Sequence, residues 1–272
     1  MSKGVLLFAL NTEFKYTELA EICAKRVKEH LKLPVSLVVN EDYADPQNLF
    51  DKIIKVDEEK SQSRILNDGL DSSKTVKWIN FPRPNAYDLT PYDKTLVLDV
   101  DYVLNSSHLK ICFNLEKDFA IFKEGINLLS SRQFPEFDNL NPFSIKFYWA
   151  TVFYFKKTNL NELFFNHLKY IRENWPYYCS LYQIKETKFR NDFAFSIGIH
   201  NIFSSRVSKR FGFIPGKLFY TIDRDTLIES VEKKLVFLMS NNTDAKLQPA
   251  AVNNTDVHIM NKFSLLRTMN NE

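Results

Sequence analysis

The sequence has few glycines, and it lacks paired cysteines. Six glycines in 272 residues leave no glycine-rich loop of the kind that cradles phosphate in P-loop and dinucleotide-binding proteins. The three cysteines, Cys23, Cys112 and Cys179, are far apart and show no metal-like spacing. An odd number of scattered cysteines favours reduced thiols that only pack, and it suits a reducing cytoplasm.

Long apolar runs and a strong net charge are also missing. No run approaches the roughly 20 apolar residues of a membrane-spanning helix, and residues 1–10 lack the length and cleavage pattern of a signal peptide. We therefore expect no membrane span and a cytoplasmic location. The formal charge of +3 is too small to indicate a polyanionic partner by itself, although a local basic patch would be compatible with it.

What is present is an ordinary globular composition, with 44% hydrophobic and 25% charged residues and 24 phenylalanines. The apolar run 4–10 predicts a buried strand, and apolar residues then recur at helical spacing from Tyr16 to Leu31. Further strands are predicted at 34–40 and 51–57. A strand, a helix and a strand joined by a short turn at Pro34 indicate a parallel pair, and hence an α/β domain.

The rest of the chain is less regular. "SRILNDGL" is read as helical, and "FPRPNAYDLTPYD" as a loop or short helix. Residues 143–155 alternate as a strand does, and a helix is predicted to start with Asn159 as its N-cap and Glu162 three residues later. A further helix is predicted from Asp225 to about Leu238. The polar stretch 240–256 is read as a loop, which divides the chain into a catalytic domain, 1–239, and a loop with a C-terminal tail, 240–272.

"TLVLDVDYVL" (95–104) carries the chemistry. Side chains two apart on a strand share a face, so Asp99 and Asp101 are expected to lie close together at the carboxyl end of a buried strand. Ligands bind at such ends in open α/β sheets. A carboxylate pair there can hold Mg²⁺ or Mn²⁺ together with substrate phosphates. The alternative is a pair of solvated aspartates with no ligand.

With the basic loop before it, this motif resembles that of nucleotide-sugar glycosyltransferases of the GT-A fold, most closely the galactosyltransferase-like and glycogenin-like branch. The resemblance implies a Rossmann-like, mainly parallel sheet flanked by helices, with a C-terminal tail over the active site. It also implies that Asp99 and Asp101 chelate Mn²⁺ or Mg²⁺, which holds the diphosphate of a donor such as a UDP-sugar.

Four donor-binding residues in the N-terminal half follow from the same resemblance. "FALNTEFKYTELA" (8–20) is similar to the loop that grips the nucleotide base, which would place Asn11, Thr12 and Tyr16 there. An ordinary turn with Asn11 or Thr12 as a helix cap is the alternative. Arg83, 16 residues before Asp99, is similar to an arginine that reaches the donor sugar and phosphate, or it is simply an exposed arginine.

Two later segments also resemble the family. In "FRNDFAFSIGIH" (189–200), Asn191 and Asp192 would contact the donor sugar, with Asp192 near the anomeric carbon; either could instead cap the helix. In "DVHIMNK" (256–262), His258 would complete the metal site and Lys262 would bind the diphosphate. The chain departs from the family here, because Lys262 follows His258 by four residues instead of six and no glycine lies between them.

The acceptor is the least defined part. Ala150 and Thr151 stand where the family often has Asn-Ala-Gly, so its acceptor contacts do not transfer. In 205–222, Arg206, Lys209, Arg210 and Lys217 alternate with aromatic residues and could meet the phosphates of a nucleic-acid acceptor or form a solvated rim. In style the chain is also similar to bacteriophage glycosyltransferases, some of which modify hydroxymethylated bases in phage DNA; this similarity implies a DNA acceptor and the host cytoplasm.

Two other functions are compatible with the aspartates. "LDVDYVL" superficially resembles the nucleophile strand of haloacid-dehalogenase phosphatases, although that motif normally opens its domain and carries a glycine. A non-enzymatic protein stabilised by a bound cation is the other alternative.

The reaction that we expect is glycosyl transfer. A cation and Lys262 would neutralise the departing diphosphate, and Asp192 would act as the base if the reaction inverts the anomeric centre.

Overall fold

The computed structural model describes residues 1–58, 60–69, 72–129, 138–185, 187–204, 207–240 and 247–269. The helices are α1 Tyr16–Arg26, α2 Ala86–Leu89, α3 Asn159–Glu173, α4 Trp175–Leu181, α5 Asn191–Phe203 and α6 Lys262–Met269. A π-helical turn, Val27–Leu31, continues α1, and 3₁₀ turns occupy Arg83–Asn85 and His108–Asn114.

The strands are β1 Lys3–Phe8, β2 Val35–Val39, β3 Lys52–Lys55, β4 Gln62–Asn67, β5 Ser73–Trp78, β6 Lys94–Leu98, β7 Tyr102–Val103, β8 Phe119–Phe122, β9 Gly125–Asn127, β10 Trp149–Lys156, β11 Phe211–Phe213, β12 Leu218–Thr221, β13 Leu227–Val231, β14 Lys234–Ser240, β15 Leu247–Asn253 and β16 Val257–Ile259.

A seven-stranded sheet forms the centre, in the order β11-β8-β10-β6-β1-β2-β3. Its strands run in one direction except β10, which is antiparallel to both β6 and β8. One face packs against α1, and the other packs against the phenylalanine-rich faces of α3 and α5. The expected mixed α/β architecture, with a mainly parallel sheet flanked by helices, is therefore confirmed. Within the described chain, no helix has the length and apolarity needed to cross a bilayer.

Three smaller sheets complete the fold, in the orders β7-β16-β12-β9, β13-β14-β15 and β4-β5. The first of them matters most for the site. In it β16 pairs antiparallel with β7, so that His258 lies opposite Tyr102. This pairing brings the C-terminal segment beside the residues that follow β6.

The prediction of a helix from Asp225 to about Leu238 is wrong, because this segment forms the strands β13 and β14. Leu235, Val236 and Phe237 are all buried in β14, which is the middle strand of its sheet and pairs with β13 on one side and β15 on the other. The turn between the strands is two residues long and has Glu232 at φ 52°. It lacks the Asn-Gly or Asp-Gly signal that normally announces such a turn.

Two other secondary-structure predictions are corrected. "SRILNDGL" is not helical: β4 and β5 form a hairpin whose turn contains Asp68 and Gly69, the latter at φ 87°. Of the predicted loop 240–256, residues 247–253 form the edge strand β15, where Pro249 is tolerated because one side is unpaired. Residues 241–246 lie outside the described chain.

The predicted helix near Asn159 is confirmed, but its cap is one residue earlier. The Thr158 hydroxyl accepts a hydrogen bond from the Asn161 backbone N–H, because Thr158 has the extended backbone of an N-cap residue. Phe164, Leu168 and Ile171 are buried as expected. The strand predicted at 143–155 is confirmed only from residue 149, where β10 begins.

Candidate metal and donor site

The two aspartates lie in a tight turn directly after β6. Asp99 donates its backbone N–H to Thr151 O at 2.9 Å, and its carbonyl accepts from Tyr102 N at 3.0 Å. Asp101 accepts a backbone hydrogen bond from Ile259 N at 2.9 Å. The strand therefore ends before Asp99, whereas the sequence suggested that both residues extend it. The turn nevertheless directs both carboxylates toward the same point.

His258 lies at that point. Its Nε2 is 3.1 Å from Asp101 Oδ1 and 3.8 Å from Asp99 Oδ2. One ligand atom from each of the three residues lies within 4.8 Å of the others. The fold thus brings together the three side chains that were predicted to bind a metal, although His258 is 157 residues from Asp101 in sequence.

Each aspartate also pairs with one cation through its other oxygen. Arg83 donates to Asp99 Oδ1 and, at 3.0 Å, to the Ala150 carbonyl. Lys262 donates to Asp101 Oδ2 at 2.6 Å. Two cations therefore balance two carboxylates, and Asp99 Oδ2 and Asp101 Oδ1 remain turned toward His258.

Burial and charge act differently on the two carboxyl groups. Burial raises the pKa of Asp99, the Asp101 charge adds to this effect, and Arg83 opposes it. Burial also acts to raise the pKa of Asp101, but Lys262 and His258 outweigh it and hold that pKa well below its usual range. Asp101 is consequently the carboxylate that stays ionised most securely.

The donor set fits a hard divalent cation. Neighbouring ligands of an octahedral ion with bonds of about 2.1 Å lie about 3 Å apart, close to the separations observed around His258 Nε2. The Thr151 hydroxyl is 3.3 Å from His258 Nδ1. A proton on Nδ1 directed at that hydroxyl leaves the Nε2 lone pair available for a metal, as is usual for metal-binding histidines.

This cluster forms part of the wall of a cavity of about 580 Å³. Of the other sequence-predicted residues, Tyr16, Arg83, Asn191, Asp192 and Lys262 line the same cavity. Asp192 Oδ1 accepts from Ala150 N at 2.8 Å and Asn191 donates to Asn80 O at 3.1 Å. Neither side chain caps α5, so the capping alternative does not describe them.

Asn11 and Thr12 are not part of that wall. They line a neighbouring cavity of about 480 Å³ together with Glu13 and Lys77. The Asn11 side chain donates to Thr17 Oγ1 at 3.1 Å and to Glu41 Oε1 at 2.6 Å. Asn11 thus has a structural role in the β1–α1 turn, and a contact with a nucleotide base stays a prediction for both residues.

Two of the basic residues in 205–222 that were predicted to contact nucleic-acid phosphates form ion pairs with acidic residues. Arg210 pairs with Asp118 at 2.8 Å, and Lys217 pairs with Glu124 at 3.5 Å. Lys209 is exposed, and Arg206 lies outside the described residues. None of the described members of this group lines the large cavity, so a nucleic-acid contact through them stays a prediction.

Sequence reasoning missed one wall of the cavity. The hairpin β4–β5 contributes Arg64, Asn67 and Trp78, and the loop after β12 contributes Asp223. The Asp68-Gly69 turn, flanked by alternating polar and apolar residues, was a usable hairpin signal. No comparable signal marks Asp223, because its position depends on hydrogen bonds to Asn67 and Asn261.

No protein-family model and no curated protein matches the chain. Among solved structures, it is similar to the glycosyltransferase GlyE of Streptococcus pneumoniae TIGR4, with 13% identity over 79% of this chain and 46% of that chain (TM-score 0.43). Mouse xyloside xylosyltransferase 1 shows 12% identity over 78% and 85% of the two chains (TM-score 0.44). The galactosyltransferase LgtC, with donor and acceptor sugar analogs, shows 14% identity over 72% and 70% (TM-score 0.38). The chain thus spans less than half of GlyE.

Proposed function

We propose that the protein is a metal-dependent glycosyltransferase that moves a sugar from a nucleoside diphosphate, with a UDP-sugar as the first donor to test, to an acceptor hydroxyl. One observation carries the proposal: Asp99 Oδ2, Asp101 Oδ1 and His258 Nε2 converge on the wall of a cavity of about 580 Å³ that is also lined by five basic side chains. A hard cation with a diphosphate is the ligand that such a mixture of charges favours.

Asp99, Asp101 and His258 would hold Mn²⁺ or Mg²⁺. When bound, the cation supplies Lewis-acid stabilisation of the negative charge that develops on the leaving diphosphate. Lys262 already lies beside Asp101, and its ammonium group adds a fixed positive charge at the same place. Arg83 orients Asp99 and reaches toward the donor sugar.

In the reaction, the acceptor oxygen forms a bond to the anomeric carbon, and the bond from that carbon to the β-phosphate oxygen breaks. The phosphate oxygen keeps the electron pair of the broken bond. The acceptor proton passes to the leaving phosphate if configuration is retained, as the resembled branch implies. If configuration is inverted, Asp192 is the carboxylate that takes this proton, and Asn191 orients the sugar in either case.

The acceptor is proposed from the resemblance and from the basic residues Lys209, Arg210 and Lys217. A hydroxymethylated base in bacteriophage DNA, met by Lys209, Arg210 and Lys217, remains one acceptor to test. It would suit a protein acting in the host cytoplasm. Arg210 and Lys217 would first have to exchange Asp118 and Glu124 for phosphate.

The division of the chain into a catalytic domain, 1–239, and a tail, 240–272, is also part of the proposal. The boundary falls between the paired strands β14 and β15, so the two parts share one small sheet.

Hydrolysis of nucleotide sugars tests the proposal, because glycosyl transfer to water needs no acceptor. The protein is incubated with a panel of UDP-, GDP- and dTDP-sugars in the presence of Mn²⁺ or Mg²⁺, and release of the nucleoside diphosphate is measured. Turnover of at least one donor, lost with a chelator and in Asp99→Asn, is expected. Asp118→Asn is the matched control, because Asp118 is also an aspartate held in ion pairs, with Lys156 and Arg210, but it lies outside the cavity.

The same samples distinguish the alternatives. Turnover of an aryl phosphate, without hydrolysis of any nucleotide sugar, would instead support a phosphatase. A cation that binds equally well with and without a nucleoside diphosphate, in a protein without turnover, would support a structural cation site.

A further inference from the structure

The hairpin β4–β5 is attached at both of its ends to elements around the cavity. Near the start of β4, the Gln62 side chain accepts from Phe189 N at 2.6 Å and donates to Phe189 O at 2.9 Å. At the end of β4, the Asn67 side chain donates to Asp223 O at 2.6 Å, and Asn67 O accepts from Asn261. Leu66 and Val76 are buried in the core. The residues between these anchors are consequently held in a defined position.

Arg64 is one of those residues, and it faces the cavity. It lies opposite Val76 in the hairpin, and the centre of its guanidinium group is 5.0 Å from the centroid of the Trp78 ring. A guanidinium stacked on an indole is held flat and keeps its N–H groups free to bind an anion. Both side chains line the 580 Å³ cavity.

Arg64 differs from the other arginines of this cavity in lacking an acidic partner. Arg83 pairs with Asp99, and Arg190 pairs with Asp192. Within the described residues, Arg64 forms no ion pair with any Asp or Glu. The carboxylate of Asp223 accepts from amide groups of Asn261 and Asn67 instead. Because no carboxylate of the described chain occupies its N–H groups, this half-buried guanidinium can bind an anion without first giving up an ion pair.

The Tyr16 hydroxyl is a second unsatisfied group on the same wall. Tyr16 is 6% exposed, and its oxygen forms no hydrogen bond within the described chain that meets normal geometry. Burial raises the pKa of Tyr16 to about 12, and both the charge of Arg64 and a side-chain contact from Arg64 to the hydroxyl oppose that rise. The Tyr16 hydroxyl and the Arg64 guanidinium therefore lie side by side on the cavity wall, where the O–H group and the remaining N–H groups can both donate to a bound anion.

We propose that Arg64, stacked on Trp78, binds the diphosphate of the donor and supplies a second side-chain cation for the leaving group, in addition to Lys262. This inference rests on the proposed glycosyltransferase function, and it adds a residue from an element that no sequence motif indicated. When the bond between the anomeric carbon and the phosphate oxygen breaks, the charge that appears on the diphosphate would be shared between Lys262 and Arg64.

Binding of UDP, of inorganic pyrophosphate and of uridine, each with excess Mg²⁺, tests the role of Arg64 by calorimetry on the full chain. Arg64→Gln is expected to weaken both UDP and pyrophosphate by roughly 10- to 100-fold, the effect of losing a charge-assisted contact, and to leave uridine unchanged. Arg64→Lys should lose less, because it keeps the charge without the planar fork.

Lys74→Gln is the matched control. Lys74 is on the same hairpin, pairs with Asp68 and lies 5.4 Å from the centroid of the Phe263 ring, but it does not line the cavity. The substitution changes net charge equally and should leave all three affinities unchanged. Thermal unfolding verifies that each variant folds; if Arg64→Gln does not, Arg64→Lys provides the comparison.

The two proposals fail in different ways. If the unaltered protein binds UDP and pyrophosphate and the folded Arg64 variants bind them equally well, Arg64 does not contact the diphosphate, and the glycosyltransferase proposal stands without it. The same conclusion follows if uridine weakens as much as UDP. If the unaltered protein binds neither diphosphate in the presence of Mg²⁺, both proposals are overturned.

Discussion

The Lys262 ammonium lies 2.6 Å from Asp101 Oδ2, and this ion pair joins α6 to the turn after β6. Both residues are nearly inaccessible to solvent, with 4% and 5% of their surfaces exposed. A buried charge without its partner is far costlier than the pair. The contact between the C-terminal helix and the aspartate turn is therefore electrostatic in origin, and each residue constrains the protonation state of the other.

Removing one partner should destabilise the fold strongly. Asp101→Asn and Lys262→Met are each expected to lower the free energy of unfolding by about 3–5 kcal/mol, because each leaves one buried charge uncompensated. The double variant should be markedly more stable than the sum of the two losses implies. Urea unfolding of the four proteins measures this coupling, and strictly additive losses would show that the two charges do not interact.

The central sheet could be predicted from sequence because its strands and helices carry their own signals. The run 4–10, the helical spacing after Tyr16 and Pro34 each predict an element that the structure contains. The aspartate pair was also recognisable, since two carboxylates directly after a buried strand seldom serve packing. The small sheets were harder to predict from sequence: β13 and β14 contain residues of mixed propensity, and the pairing of β14 with β13 on one side and β15 on the other selects the strand conformation.

The candidate site could be predicted only where local sequence carried its chemistry. Arg64 and Asp223 reach the cavity through a hairpin and a loop whose positions depend on long-range hydrogen bonds between Asn67, Asn261 and Asp223. Such contacts join residues almost 200 positions apart and leave no periodic trace in a single sequence. His258 was found through a resemblance, and the pairing of β16 with β7 supplies the physical reason for its location.

His30 is expected to make stability depend on pH. Burial lowers its pKa in the folded protein, with Lys233 and Arg26 acting in the same direction and Glu29 opposing them. The unfolded chain takes up this proton near pH 6.5, so stability is complete above that pH and falls as the pH drops through 6.5 toward the lower folded value.

Urea unfolding between pH 5 and 8 measures the contribution of His30. The loss of stability on acidification should be smaller in His30→Gln than in the unaltered protein. His200→Gln, at an exposed position on α5, is the control and should follow the unaltered protein. An identical pH dependence in His30→Gln would mean that His30 titrates alike in both states.

Asp192 should affect catalysis without affecting the metal. Its Oδ1 accepts from Ala150 N, its Oδ2 lies 3.5 Å from Arg190, and it is not one of the three residues that could hold the cation, Asp99, Asp101 and His258. Asp192→Asn retains the shape and the backbone contact but removes the charge from the position proposed to lie beside the sugar. We expect at least about a tenfold loss of kcat for donor hydrolysis, with UDP and Mn²⁺ affinities unchanged by calorimetry. Weakened Mn²⁺ binding would instead indicate a contribution to the cation site.

Metal and nucleotide should bind cooperatively. Arg83 and Lys262 already balance the charges of Asp99 and Asp101, so a divalent cation alone adds two positive charges that nothing at the site compensates. A diphosphate supplies the compensating negative charge. Mn²⁺ with UDP is therefore expected to raise the unfolding temperature by more than the sum of the two separate increases.

At ligand concentrations about 100 times the dissociation constant, binding to the folded state alone adds about 2.7 kcal/mol to its stability, which is readily measured by thermal unfolding. Asp99→Asn and His258→Gln should abolish the cooperative increase, whereas Asp118→Asn should retain it. Equal stabilisation by Mn²⁺ in the presence and absence of UDP would contradict this expectation, because it would mean that the two existing cations do not oppose the metal and that the diphosphate does not share its site.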